Sequence, residues 1–322
     1  AMKKAILLTA LLLALSPMAW AGEQTYRISV SQFVEHPALD AVLKGFQDDL
    51  KENGVKAEYA VHNAQANMAT AGQIGTQIMG EKPDLILAIA TPSAQTCAQA
   101  LKKAPHMQKT PMLFSAITDP VGAGLVKDLQ NPGENITGVS DALPLEKHME
   151  MVRMFVPAMK KIGVMYNSGE ANSRASVKLI REVGAEMDFE VVDATVSKTS
   201  EVYQAAKSLV GRVDAVFVPT DNTVVESLES AVKVCTQNKL PLFCADVDSV
   251  RRGAAAAMGF DYYKHGRQTG AMARRIFSGA GPATTAVETQ EELQLHINTK
   301  YAKLMGIEVS EEALKMADKI YE

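Results

Sequence analysis

Two periods of hydrophobicity alternate along this chain. From residue 26 to about residue 280, short and nearly continuous apolar runs are separated by longer segments whose apolar positions recur every three or four residues. The first run, RISVSQF (27–33), has the length of a strand. It is followed by a helical pattern over 39–52, with Leu39, Val42, Leu43, Phe46 and Leu50 on one face. A strand near 57–61, a helix over 67–79, and the runs DLILAIA (84–90) and PMLFSAI (111–117) continue the alternation. The second half does the same, with KIGVMY (161–166), a helix over 172–187, FEVVDAT (189–195), a helix near 202–210, VDAVFVP (213–219) and a helix over 224–236. Strands apolar on both faces and joined through helices predict parallel sheets covered on both sides.

The two halves also resemble each other. KPDLILAIATPSAQ (82–95) and RVDAVFVPTDNTVV (212–225) share an aspartate, a strand and a polar elbow that opens a helix. This predicts an α/β protein of two Rossmann-like lobes with parallel sheets, joined by a hinge. The boundaries fall at 22–140 plus 262–290 for one lobe and 141–261 plus 291–322 for the other. The Gly-, Pro- and Asn-rich stretch 119–144 reads as the hinge region. Ligands of open α/β sheets sit beyond the carboxyl ends of the strands, so the elbows at Thr91 to Ser93 and at Thr220 to Thr223 would face one cleft.

Those elbows carry the candidate chemistry. A helix N-terminus with hydroxyl groups suits an α-carboxylate; Thr91 and Ser93 offer one and Asn172 and Ser173 in GEANS another. An α-ammonium needs acceptors. Asp221 is the leading candidate, followed by Asp246 in CADVDS, Asp141 in GVSD and Glu170. Asn222 can donate and accept, and His36 and Thr118 complete the set at the ends of the first and fourth runs. The residues Ser, Asp and Asn in front of helices also serve as plain caps, and aromatic side chains in strands, such as Phe33, Tyr166, Phe217 and Phe260, belong more often to cores.

Composition narrows the classes. With 322 residues, 47% hydrophobic and a formal charge of −4, the chain has material for two cores and no basic runs for nucleic acid or anionic lipid. Its N-terminus, AMKKAILLTALLLALSPMAWA, has two lysines, an apolar run too short to span a bilayer and an Ala-Trp-Ala cleavage site. Residues 1–21 are therefore expected to be a secretory signal peptide. With no cysteine near that site for a lipid anchor, the protein is expected free in the periplasm. Cys97, Cys235 and Cys244 allow at most one disulfide, between Cys235 and Cys244, and buried thiols are the favoured reading. The six histidines lack metal-ligand spacing, and no cofactor is expected.

The ordered set SQFVEHPALDAV, AIATPSAQ, FSAITDPVGAGLV, NITGVSD, GVMYNSGEANS, VPTDNTVVESLE and MGFDYYKHGRQTG resembles the substrate-binding proteins of ABC importers, in the type I periplasmic-binding fold group that includes tryptophan and tyrosine binders. The resemblance spans nearly all of the chain. It implies closure of the lobes over one small solute, an aromatic amino acid such as tryptophan, tyrosine or phenylalanine, and delivery to an ABC permease in the inner membrane. On this reading Asp221 receives the ammonium, while Thr91, Ser93 and Ser173 hold the carboxylate. Two rivals are a soluble sensor that presents its ligand to a membrane receptor and an α/β enzyme. Against an enzyme, there is no G-x-S-x-G elbow, and VGAGLV (121–126) lacks the third glycine of a dinucleotide fingerprint.

Overall fold

The structure, a computed structural model, describes residues 24–322. The expected signal peptide lies outside the described residues. The first lobe begins with β1 (Thr25–Gln32), α1 (Pro37–Glu52), β2 (Lys56–Asn63), α2 (Met68–Glu81), β3 (Leu85–Ile89), α3 (Thr91–Lys102), β4 (Met112–Ile117) and β5 (Ile136–Ser140). The apolar runs take the central places: every residue of β3 and β4 is buried, whereas β2 alternates toward solvent at the sheet's edge.

The chain then enters the second lobe through α4 (Leu145–Phe155), β6 (Lys161–Asn167), α5 (Ala171–Met187), β7 (Glu190–Val196), α6 (Val202–Leu209) and β8 (Ala215–Val218). It continues with α7 (Asn222–Glu226), α8 (Leu228–Gln237), β9 (Leu242–Cys244), α9 (Asp248–Arg251) and β10 (Ala256–Gly259). Next, α10 (Tyr262–Phe277) and β11 (Glu288–Thr289) return to the first lobe. Finally β12 (Gln294–Asn298), α11 (Thr299–Leu304), α12 (Glu311–Met316) and β13 (Lys319–Tyr321) finish the second. The strand orders are β11-β5-β4-β3-β1-β2 and β13-β12-β10-β9-β8-β6-β7. All pairs are parallel except β10 with β12, because β12 enters from the other lobe and runs back along its neighbour. Two Rossmann-like lobes with parallel sheets therefore make up the fold, with one buried apolar core in each.

The return of α10 to the first lobe depends on close helix packing. A Cβ on Gly266 would lie 2.0 Å from the carbonyl oxygen of Val42, and one on Gly45 would lie 2.1 Å from that of Tyr263, so α1 and α10 meet at two glycines that no other residue could replace without shifting a helix. The Arg274 Nε bond to Asp49 at 2.8 Å fastens the same pair of helices. Tyr262, the first residue of α10, is thereby delivered to the boundary between lobes.

Two local departures from the hydrophobic pattern have simple causes. Residues 136–140, inside the supposed hinge stretch, form β5, since their backbone completes the ladder beside β4. Only 141–144 remain to cross between the lobes at that point. The helix expected over 224–236 is broken at Ser227, whose φ of −108° and ψ of 31° end α7 and begin α8. Cys97, Cys235 and Cys244 are all free and buried; burial pushes the thiols of Cys97 and Cys235 up to about 12.

Candidate functional site

Two elbows in the first lobe are bent by unusual backbone. Ala90 has φ 75° and ψ 151°, a region populated almost only by glycine. Its N–H donates to the Ser115 carbonyl and its carbonyl accepts from Ala94, so the distortion turns the chain directly from β3 into α3. That helix starts without a capping side chain, which leaves its first N–H groups for some other acceptor. At the end of β4 the register with β5 shifts between Ser115 and Ile117, and Ala116 takes φ 58°. Its N–H donates to Nε2 of buried His265 at 3.0 Å, which holds the bulge.

In the second lobe a carboxylate pair organises the facing elbow. Glu170 accepts from the backbone and side chain of both Asn222 and Thr223. Asp221 caps α7 through Val224 N–H at 2.8 Å with one oxygen, and accepts Asn167 N–H and Ser173 Oγ at 2.6 Å each with the other. Burial and the nearby Glu170 carboxylate raise the Asp221 pKa, against the pull of its three donors.

Between these elbows lies a cavity with about 370 Å³ of unfilled space, part of it open to solvent. Among the residues singled out from sequence, His36, Thr91, Thr118, Asp141, Asn172, Asp221, Asn222 and Asp246 line it, and Ser93, Glu170 and Ser173 do not. Those three stand one layer back. Ser93 accepts the Ser31 hydroxyl at 3.1 Å, while Glu170 and Ser173 fix Asn222 and Asp221 respectively. Asp221, expected to receive an ammonium, has both oxygens engaged by protein donors and serves the elbow as scaffold. Ala38, Leu39, Ala116, Val225 and Tyr262 also line the cavity and escape sequence reasoning. For Tyr262 a signal existed, a tyrosine directly after the cap residue Asp261, but nothing local shows that α10 begins at the lobe boundary.

The cavity wall is acidic. No Lys or Arg lines it among the described residues, and three aspartates do. Burial raises the Asp141 carboxyl to about 6, although Tyr262 Oη donates to it at 2.8 Å, and burial likewise raises Asp246, whose oxygens accept from Ser249. His36 is kept neutral: burial, and after it the charge of Arg252, lower it to about 3. Three buried polar atoms on this wall have no protein partner: His36 Nδ1, Thr91 Oγ1 and Asn172 Oδ1. The orientation of the Asn172 amide is dictated by its surroundings, because Nδ2 faces two acceptors, the Glu170 carboxylate and the Thr220 carbonyl at 2.8 Å. Its oxygen is left as an acceptor without a protein partner. Unpaired buried polar groups are costly, and three of them at one cleft mark a place for a polar solute.

Two parallel α/β lobes with a polar, largely preformed cavity beyond the strands' carboxyl ends define a bilobal solute-binding protein. The chain belongs to the ABC transporter substrate binding protein family, whose profile matches residues 27–321. It is 40% identical over 285 residues to a tyrosine-binding protein of Clostridioides difficile (strain R20291), covering 87% of this chain and 81% of that one. Among solved structures it resembles an ABC domain in complex with L-Trp from Streptococcus pneumonia, at 34% identity and a TM-score of 0.87, covering 92% of this chain and all of the other. It also resembles the ligand-free, open structure of a substrate binding protein with adhesive properties from Clostridium difficile. Here identity is 37% and the TM-score 0.68, over 92% of this chain and 99% of that one.

Proposed function

We propose that this chain captures the zwitterion of an aromatic L-amino acid between its lobes and delivers it to an ABC permease. The carrying observation is the set of unpartnered atoms, which supplies a donor from one lobe and an acceptor from the other. Thr91 Oγ1 and the uncapped start of α3 suit the α-carboxylate. Asn172 Oδ1, with the carboxylates of Asp141 and Asp246, suits the ammonium. Leu39, Ala38, Val225 and Tyr262 form the apolar part of the wall that a ring would cover.

The aromatic preference draws support from the relatives that bear tyrosine and L-Trp in their descriptions. At nearly equal identity, the TM-score is 0.87 with the L-Trp complex and 0.68 with the ligand-free open structure. That contrast supports reading the present arrangement of lobes as the closed one, brought together as on a solute.

Calorimetric titration of protein stripped of solute by unfolding and refolding tests the reading, with tyrosine, tryptophan and phenylalanine beside leucine. Saturable binding of an aromatic at least about tenfold tighter than leucine is expected. Leucine binding equally well would refute the aromatic preference, and no heat with any amino acid would refute the substrate class. The permease belongs to the proposal through family membership, and uptake lost on deletion of the gene and restored by the full chain would check it. Cell fractionation checks the expected release into the periplasm.

A further inference from the structure

Behind the solute cavity lies a second one, with about 690 Å³ of unfilled space, part of it open to solvent. It shares two residues with the first, Thr118 and Thr220. Thr118 follows β4 in the first lobe and Thr220 follows β8 in the second, and their hydroxyl oxygens meet at 3.1 Å. Because the partners belong to different lobes, the contact exists only while the lobes are together. It then stands as a wall between the two chambers.

The surroundings of the wall say which end of a solute it meets. Thr118 donates to Asp141 Oδ1 at 3.4 Å, and the Thr220 carbonyl accepts from Asn172 Nδ2 at 2.8 Å. The wall therefore adjoins Asp141 and Asn172, the groups assigned above to the amino acid's ammonium. Beyond it, the second chamber is lined by Leu143, Leu145, Ala175 and Leu179, with Asp119 and Lys178 among its walls. A largely apolar chamber with one carboxylate beside one ammonium group has the chemistry to take one further residue, joined through the amino acid's nitrogen, and its terminal ammonium.

The geometry points to the Thr118–Thr220 pair as the element that makes this protein select a free amino acid over a dipeptide: closure builds a wall where the second residue would have to pass. This rests on the reading of the first cavity as an amino acid site. The wall acts by bulk, so its removal opens the second chamber to an aromatic residue extended through its amino group.

The test compares L-tyrosine and L-tryptophan with L-leucyl-L-tyrosine and L-leucyl-L-tryptophan by calorimetric titration on the full stripped protein. Wild type should favour the free amino acid by about 100-fold or more, and the double variant Thr118→Ala, Thr220→Ala should narrow that preference by about tenfold. The isosteric pair Thr118→Val, Thr220→Val, which keeps the bulk without the hydroxyl contact, should retain the exclusion. Should the double alanine variant fail to fold, as judged by its thermal melt, Thr220→Ala alone should narrow the preference in the same direction. An unchanged preference in the folded alanine variants, or wild type binding the dipeptide as tightly as the amino acid, would overturn the inference while leaving the amino acid site intact. Wild type that binds none of the four ligands would sink the site reading, and the selection wall with it.

Discussion

The Ser173 hydroxyl donates to Oδ2 of Asp221 at 2.6 Å, tying the first turn of α5 to the cap of α7. The bond joins two elbows that follow neighbouring strands, β6 and β8. It explains why a polar quartet interrupts an apolar run at residues 220–223: the carboxylate there gathers donors from three places in the chain and so shapes one wall of the cavity.

Asp221→Ala should accordingly act on folding first. It removes a helix cap and orphans the Asn167 N–H and the Ser173 hydroxyl, for a total of about 2–4 kcal/mol. Ser173→Ala, which removes one of three donors, should cost about 1 kcal/mol. Urea unfolding measures both. A midpoint unaltered by Asp221→Ala would show that this carboxylate is not the scaffold of the elbow.

Thr91→Val should separate binding from stability. Thr91 Oγ1 is buried without a protein partner, so an apolar isostere should leave the melting temperature of the solute-stripped protein unchanged or raise it. Loss of a hydrogen bond to a charged ligand group should weaken affinity roughly tenfold. The two effects are read by thermal melting and calorimetry. A destabilised variant with normal affinity would contradict the assignment of this hydroxyl to the solute.

The backbone at Ala90 predicts an unusual response to glycine. Its φ of 75° and ψ of 151° cost on the order of 1–3 kcal/mol for a residue with a Cβ. Ala90→Gly relieves that strain against a smaller loss of chain entropy, so the unfolding midpoint should hold or rise. Ala90→Val should lower it by more than about 2 kcal/mol. A clear loss of stability with glycine would mean that the alanine methyl group contributes packing that outweighs the strain.

Affinity should fall with acidity. Burial holds the Asp141 carboxyl at about 6 against an ordinary 3.8, so folding favours its protonated form more than the unfolded chain does. Stability from this group is therefore fully present below about 3.8 and is lost as pH rises through about 6. Binding an ammonium has the opposite demand, since it needs the ionised form. Below about pH 6 a proton must leave on binding, and affinity should drop by up to about tenfold per pH unit. Titrations between pH 5 and pH 7.5, repeated on Asp141→Asn, check this. A slope that survives in the asparagine variant would assign the effect to another group, with Asp246 next in line because burial raises it in the same direction.

Much of this molecule is written locally. Apolar runs such as LILAI and AVFV are strands because they are short, continuous and buried on both faces, and α1 and α5 follow from apolar positions at helical spacing. The repeated strand and elbow at 82–95 and 212–225 marks the two halves and their facing ends. Periodicity conveys these features because it is a property of neighbouring residues on one backbone. Where pairing is long-range, the same signal is silent: ITGVS becomes β5 only because β4 and β11 stand beside it.

At the cavity the division is sharper. The amino-acid sequence alone determines which residue types gather at each elbow, since capping and strand termination both call for Ser, Thr, Asp and Asn. It does not determine which of them face the solute. Asn172 lines the cavity while its neighbour Ser173 turns away to Asp221, and Thr118 meets Thr220 from the other lobe. Tyr262 arrives only because α10 folds back against α1. Those choices belong to the tertiary structure, because a side chain's partner across a cleft is set by how two lobes are oriented, and no local hydrophobic period contains that orientation.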